Sequence, residues 1–267
     1  MRFHFLRYPW KGSFTGMLLI AGEKGSVLID TALPEAIDDF LLPYLDRAGI
    51  ALDSIQWVVN THNHEDHAGG NARLRQLCDA KFAIHRNGAE AQERAGFHPD
   101  LLLDDGSLLR VGEIALEAVH IPGHSPDSIG VLELNSGTMY TGDSLQGRGS
   151  EYSGIALYAD PKSYLSSIDR MLTLFRIGRV KKLICGHPFA PYDGTVTGED
   201  ITDFLEATRD SVVAYEMAVE DYLALHPEAE APEVGQVLLE RYGITQTPLL
   251  TGCEAATAGA LLRALAE

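Results

Sequence analysis

Thr61-His62-Asn63-His64-Glu65-Asp66-His67-Ala68-Gly69-Gly70 places four candidate metal ligands, His62, His64, Asp66 and His67, within six consecutive positions. These donor types suit zinc and its first-row neighbours. In an extended or tightly turned segment, residues two apart point the same way, so His62 and His64 can converge on one ion while Asp66 and His67 address a second. The spacing differs from the helical H-E-x-x-H arrangement, whose histidines lie four apart on one face. A His-rich surface loop is the bland alternative. It leaves unexplained the paired Gly69 and Gly70, which let the backbone turn closely beneath such a site.

Upstream, Gln56-Trp57-Val58-Val59-Asn60 reads as a buried strand that delivers Thr61 and His62. The apolar runs 16–21 and 26–30, parted by Gly22-Glu23-Lys24-Gly25, read as a strand hairpin with Asp30 at a strand's end. Residues 34–47 carry helical spacing in Ile37, Leu41, Leu42 and Leu45. Downstream, 69–77 can start a helix, and 81–85, 107–111, 114–120, 129–134 and 138–141 read as strands with Gly-containing turns. A helix is expected over 161–175 and a last strand over 181–185. From about Gly198 the pattern is helical, with a break at His226-Pro227 and a further helix pair parted around 243–251. This order implies an α/β fold of two facing sheets covered by helices. We expect a catalytic domain over 1–195 and a helical C-terminal extension over 196–267 that covers an apolar face, walls the active site or forms a dimer contact.

Three later positions supply what a two-metal site still lacks: His124 in Pro122-Gly123-His124-Ser125, Asp143 in Thr141-Gly142-Asp143, and His187 in Cys185-Gly186-His187-Pro188. Each lies at or just after an expected strand, with Gly immediately before it. Taken in this order with the first motif, they resemble the metallo-β-lactamase superfamily, whose pattern is H-x-H-x-D-H followed by single His, Asp and His ligands. The resemblance runs from Asp30 to about His187. It implies an αββα sandwich with the metals at one edge between the sheets, carrying a C-terminal helical appendage. It further implies that His62, His64 and His124 hold one divalent ion, that Asp66, His67 and His187 hold the other, and that Asp143 bridges them. Zinc is the first expectation, with iron and manganese admitted by the same donors. Asp30 matches the acidic residue that the family places behind the ligands, where it accepts an imidazole's second N–H. A strand-ending turn residue is an equal reading of it.

Lys and Arg number 21 against 38 Asp and Glu, a formal net charge of −17 that disfavours nucleic acid as a partner, although an acidic surface also serves solubility alone. Cys78, Cys185 and Cys253 form no C-x-x-C pair, which argues against a disulfide scaffold or zinc knuckle and fits a reducing cytoplasm. The early apolar stretch 17–21 is too short for a membrane span or secretion signal, so no membrane role is expected. An apolar helical tail suggests a homodimer.

The resemblance implies a dinuclear hydrolase acting on a small-molecule carbonyl substrate (a lactone, ester or thioester) with a metal-bridging hydroxide. Asp66 and Asp143 are its catalytic carboxylates, Asp66 orienting the nucleophile. Bridging Asp143 together with His67 disfavours a dedicated β-lactamase. His64 stands where flavodiiron proteins usually carry Glu, and the nucleases' inserts are missing. Glyoxalase II enzymes and acyl-homoserine lactonases share the metal pattern. The former's basic residues have no clear counterpart in this acidic tail, and Asp143-Ser144-Leu145-Gln146 lacks the latter's Tyr. The alternatives are a mononuclear iron persulfide dioxygenase-like oxidoreductase, a β-lactam or phosphodiester hydrolase, and a non-catalytic metal-binding protein. The Gly- and Ser-rich stretch 146–154 reads as a substrate lip with Arg148 or Tyr152 as polar contacts, or as a plain connector. Tyr158 and Tyr192 are weaker candidates. His4, His85, His98, His120 and His226 read as structural or surface histidines, with His120 a candidate support for His124.

Overall fold

Side chains alternate across a strand with a period of two, and in this chain the alternation sorts the apolar residues into three cores. The computed structural model describes residues 1–149, 154–189, 191–245 and 252–266. The first sheet holds, in spatial order, β1 (Arg2–Trp10), β2 (Ser13–Gly22), β3 (Gly25–Ile29), β4 (Ile55–Val59), β5 (Lys81–His85) and β6 (Leu101–Leu103). Its first three strands are antiparallel, and β3 to β6 run parallel. The second sheet runs in the order β7 (Leu108–Val111), β8 (Ile114–His120), β9 (Ile129–Glu133), β10 (Thr138–Tyr140), β11 (Lys182–Ile184), β12 (Thr195–Thr197). Only its β10–β11 pair is parallel. The helices are α1 (Leu42–Ala48), α2 (Glu65–Ala68), α3 (Asn71–Arg75), α4 (Ala89–Arg94), α5 (Pro161–Arg176), α6 (Asp200–Leu223), α7 (Ala231–Arg241) and α8 (Cys253–Leu265).

Leu18, Ile20, Val27 and Ile29 face Val131, Tyr140 and Ile184 in a core between the sheets. Their neighbours Met17, Leu19 and Leu28, with Phe82, point outward to Leu45 of α1 and Leu74 of α3. On the other side Leu132, Met139 and Leu183 point out to Ile168 and Met171 of α5, Phe204 and Val212 of α6, Leu238 of α7 and Leu261 of α8. Two sheets faced by helices on both outer sides follow, and the expected αββα architecture is borne out. Helices α6, α7 and α8 share one buried cluster with the second sheet, and β12 runs across residue 195. Among the described residues no helix is long and apolar enough to cross a membrane.

Several local expectations are corrected. The N-terminal hairpin is a three-stranded meander, because β1 pairs along its whole length with β2 despite Pro9 near its end. The strand Lys182–Ile184 is not the last. Thr195–Thr197 adds an edge strand whose only apolar residue, Val196, carries too little signal to be read from sequence. The helix expected over 34–47 opens as a π-helical turn, Ile37–Leu41, in which Leu42 N–H bonds to Ile37 O just before Pro43. Strands β8, β10 and β11 share one direction, as do β3 and β4. Asp30, the segment 62–67, His124, Asp143 and His187 all follow the C-terminal ends of these strands.

Phe82 is fully buried whereas Met217 on α6 is 59% exposed. Phe82→Ala should therefore cost about 3–5 kcal/mol in urea unfolding, and Met217→Ala less than about 0.5 kcal/mol. Equal losses would contradict the layer assignment.

Candidate metal centre

The seven donors expected to gather do so, and they come from four separate loops. His62 Nε2 and His124 Nε2 each lie 3.0 Å from His64 Nδ1. Asp143 reaches His67 Nε2 with Oδ1 and His187 Nε2 with Oδ2, both at 3.3 Å, and its Oδ2 is 3.8 Å from His124 Nε2. Asp66 Oδ2 is 3.1 Å from His187 Nε2 and 3.7 Å from His67 Nε2. Three groups therefore have donor atoms within 4.8 Å of one another: His62, His64 and His124; His62, His67 and Asp143; Asp66, His67 and His187. Asp66 and His67 are brought in by the one-turn helix α2, with His64 at its N-cap, rather than by an extended segment.

Glycines permit this convergence. A Cβ on Gly186 would lie 2.6 Å from His67 Cε1 and 2.7 Å from Asp143 Oδ1. Gly142 has φ +52°, and a Cβ there would come within 2.3 Å of Thr61 Oγ1. Each residue must therefore be Gly for the next one to reach the site.

The outward-facing nitrogens show that the imidazoles fit a cation. His67 Nδ1 lies 2.8 Å from Asp30 Oδ2, His187 Nδ1 2.8 Å from Phe14 O, and His124 Nδ1 2.8 Å from Leu157 O. Thr61 Oγ1 donates to Asp30 Oδ2 at 2.9 Å, so it accepts from His62 Nδ1 at 3.1 Å. These oxygens fix the proton on Nδ1 and leave each Nε2 lone pair for a ligand. Buried His67 Nε2 and Asp143 Oδ1 find no hydrogen-bond partner, and buried polar atoms in that state call for a bound group. The 3.0 Å nitrogen separations around His64 are close to the roughly 3.3 Å spacing that a tetrahedral ion with bonds of about 2.0–2.1 Å imposes.

Electrostatics divide the cluster. Burial, then His67, holds His62 well below its ordinary value, and burial, then His64, brings His124 down to about 4. Burial would also lower His187, but Asp143 and Asp66 outweigh it and hold the imidazole up at about 10. The same contest leaves His67 well above its ordinary value, with Asp143 the largest raising influence. Burial would raise the two carboxyls, yet His67 and His187 keep Asp66 at about 2 and Asp143 well below the usual range. In the metal-free molecule, protonated His67 and His187 thus stand where positive charge is needed.

Asp30 is fully buried, has φ +61°, and accepts from Thr61 N at 2.7 Å as well as from Thr61 Oγ1 and His67. It terminates β3 and orients an imidazole at once, so the two sequence readings describe one residue. Arg148 is exposed on the segment after Asp143, and Tyr152 lies outside the described residues. Tyr158 is buried in the outer helical core, stacked on Tyr164, and Tyr192 packs beside the same core. His120 stacks on His85 at 4.1 Å and lies 3.0 Å from Pro126 O, in the turn that carries His124. The three cysteines are free, and burial pushes the Cys185 thiol up to about 12. Sequence reading missed Trp10, which stacks on His187 at 5.6 Å from the end of β1, and Gln146, whose Nε2 is 3.0 Å from His124 Nδ1. Recognising β1 as a strand would have brought Trp10 to notice.

Residues 12–187 match the family described as the metallo-beta-lactamase superfamily. The mitochondrial persulfide dioxygenase of Homo sapiens is 32% identical over 141 residues, covering 53% of this chain and 51% of its own length. An acyl-coenzyme A thioesterase of Homo sapiens is 25% identical over 221 residues, covering 68% of this chain and 75% of its own length. The crystal structure of a metallo-beta-lactamase family protein from Thermus thermophilus superposes with a TM-score of 0.73 at 21% identity, covering 99% of this chain and 92% of that one, which shows a shared fold.

Because His67 and His187 hold protons above their ordinary range, a cation must displace them, and metal uptake at pH 8 should release protons to the buffer. Calorimetric zinc titrations in buffers of different ionisation enthalpy should show heats that scale with that enthalpy, and affinity should weaken from pH 8 to pH 6. Heats independent of buffer would contradict this charge assignment.

Proposed function

The chain belongs to the metallo-β-lactamase superfamily, and from that premise we propose a dinuclear metal-dependent hydrolase that opens a lactone, ester or thioester of a small molecule. The observation that carries this reading is the pair of complete donor triads, His62/His64/His124 and Asp66/His67/His187, with Asp143 between them. Two divalent ions held there, zinc first among the candidates, would supply a Lewis acid and bring the pKa of water toward neutrality.

The chain's own groups supply the rest. Asp143 would be the carboxylate shared by the two ions, and its low pKa keeps both oxygens free to accept. Asp66, ionised down to about pH 2, accepts a hydrogen bond from the attacking water and orients it. Asp30 acts through His67, keeping its Nδ1 protonated and its Nε2 directed inward. Arg148, exposed on the segment that leaves Asp143, is the candidate polar contact for substrate. The thioesterase relative, which aligns over two-thirds of the chain, supports acyl chemistry. Identity to the persulfide dioxygenase over about half of each protein favours iron-dependent oxidation as the second reading.

A panel of acyl lactones, esters, acyl thioesters, a chromogenic β-lactam and phosphodiesters tests the proposal with metal-loaded protein. Turnover is expected in one carbonyl class. Asp143→Ala should lose more than about 100-fold of it, beyond the roughly 10–100-fold typical of an outer partner of a ligand. Full activity in Asp143→Ala would overturn the bridging role, and oxygen uptake with a persulfide in place of hydrolysis would establish the second reading.

A further inference from the structure

Gln146 is buried three residues beyond Asp143 and spends its whole side-chain amide on backbone. Its Nε2 donates to Asp143 O at 3.0 Å and to Leu157 O at 2.8 Å, and its Oε1 accepts from Leu157 N at 2.8 Å. The same Leu157 O accepts from His124 Nδ1 at 2.8 Å. A carbonyl oxygen has two lone pairs and can take both donors, which accounts for the 3.0 Å approach of Gln146 Nε2 to His124 Nδ1. Both nitrogens carry hydrogen and point at one oxygen, so that approach is a shared acceptor and not a bond between them.

We propose that Gln146 is a positioning residue for the metal centre, a clamp that holds the backbone of Asp143 and, through the Leu157 carbonyl, sets the tautomer and direction of His124. The inference rests on reading His62, His64, His124 and Asp143 as ligands. Residues beside the clamp are in turn held by the C-terminal helices. Gly147 N donates to Thr208 Oγ1 of α6 at 2.9 Å, and Thr257 Oγ1 of α8 donates to Ala156 O at 2.9 Å. One contact lies next to Gln146 and the other next to Leu157, so α6 and α8 brace the clamp from both sides. If the Leu157 carbonyl were free to turn away, His124 could carry its proton on Nε2 instead, and that tautomer has no lone pair on Nε2, the nitrogen that faces the site. Such outer partners typically change metal affinity by roughly 10–100-fold.

The test is zinc affinity, measured by competition with a chromophoric chelator, for wild type, Gln146→Leu, Gln146→Glu and Met171→Ala. Leu removes all three bonds at similar volume. Glu keeps the acceptor for Leu157 N but faces two carbonyl oxygens with a carboxylate, and it stands in should the Leu variant not fold. Met171 is buried in the same outer core, so Met171→Ala loosens that core without altering the clamp. Both Gln146 variants should lose roughly 10–100-fold in affinity, and cobalt-loaded protein should lose the exchangeable His124 N–H resonance, while Met171→Ala lowers Tm and keeps wild-type affinity. Wild-type affinity in a folded Gln146 variant would overturn the clamp, as would an equal loss in Met171→Ala. A wild type that takes up no zinc would overturn the metal reading, and the clamp with it.

Discussion

The buried Asp143 carboxylate, set within 3.3 Å of imidazoles from two other loops, imposes the constraint on which the rest depends. Loops from both sheets must end at one place, so the strands that feed them must point one way at one edge. The direction shared by β8, β10 and β11, and by β3 and β4, meets that requirement. Around it the three apolar cores leave little freedom, since a one-residue slip in any strand would exchange the residues of two cores. Glycine before Asp143 and before His187 removes side-chain atoms that would clash with Thr61 and His67 and keep these loops apart.

Gathering so many ionisable groups out of water is costly unless each charge finds a partner. In the metal-free chain the partners are internal, with protonated His67 and His187 against ionised Asp66 and Asp143. His62 and His124, which face mainly other imidazoles, stay neutral instead. The donors are thus held together by their own ion pairs, and a cation bound there would exchange with protons. Backbone or hydroxyl oxygens behind His62, His124 and His187, and the Asp30 carboxylate behind His67, hold these rings in place.

Much of this was legible because ligand spacing is local. His62 to His67 announce themselves within one short segment, and the Gly-His and Gly-Asp pairs mark His124, Asp143 and His187 at strand ends. The layered fold was legible because short apolar runs such as 16–21 and 129–132, bounded by turn residues, mark strands buried on both faces, whereas which core each side chain enters emerges only in the folded chain. What escaped notice depends on distant pairing. Strand β1 gains its role by lying against β2, and β12 carries one apolar residue. Gln146 looks like any loop glutamine until Leu157, eleven residues away, is folded back upon it. Asp30 was ambiguous because ending a strand and holding an imidazole call for the same residue type.

The central claim is that one chain holds two cations around Asp143. Anomalous diffraction at the zinc edge, from crystals of zinc-loaded protein, addresses it most directly. Two peaks per chain are predicted, one among His62, His64 and His124, the other among Asp66, His67 and His187, each in contact with Asp143. A single peak, or a peak away from Asp143, would contradict it.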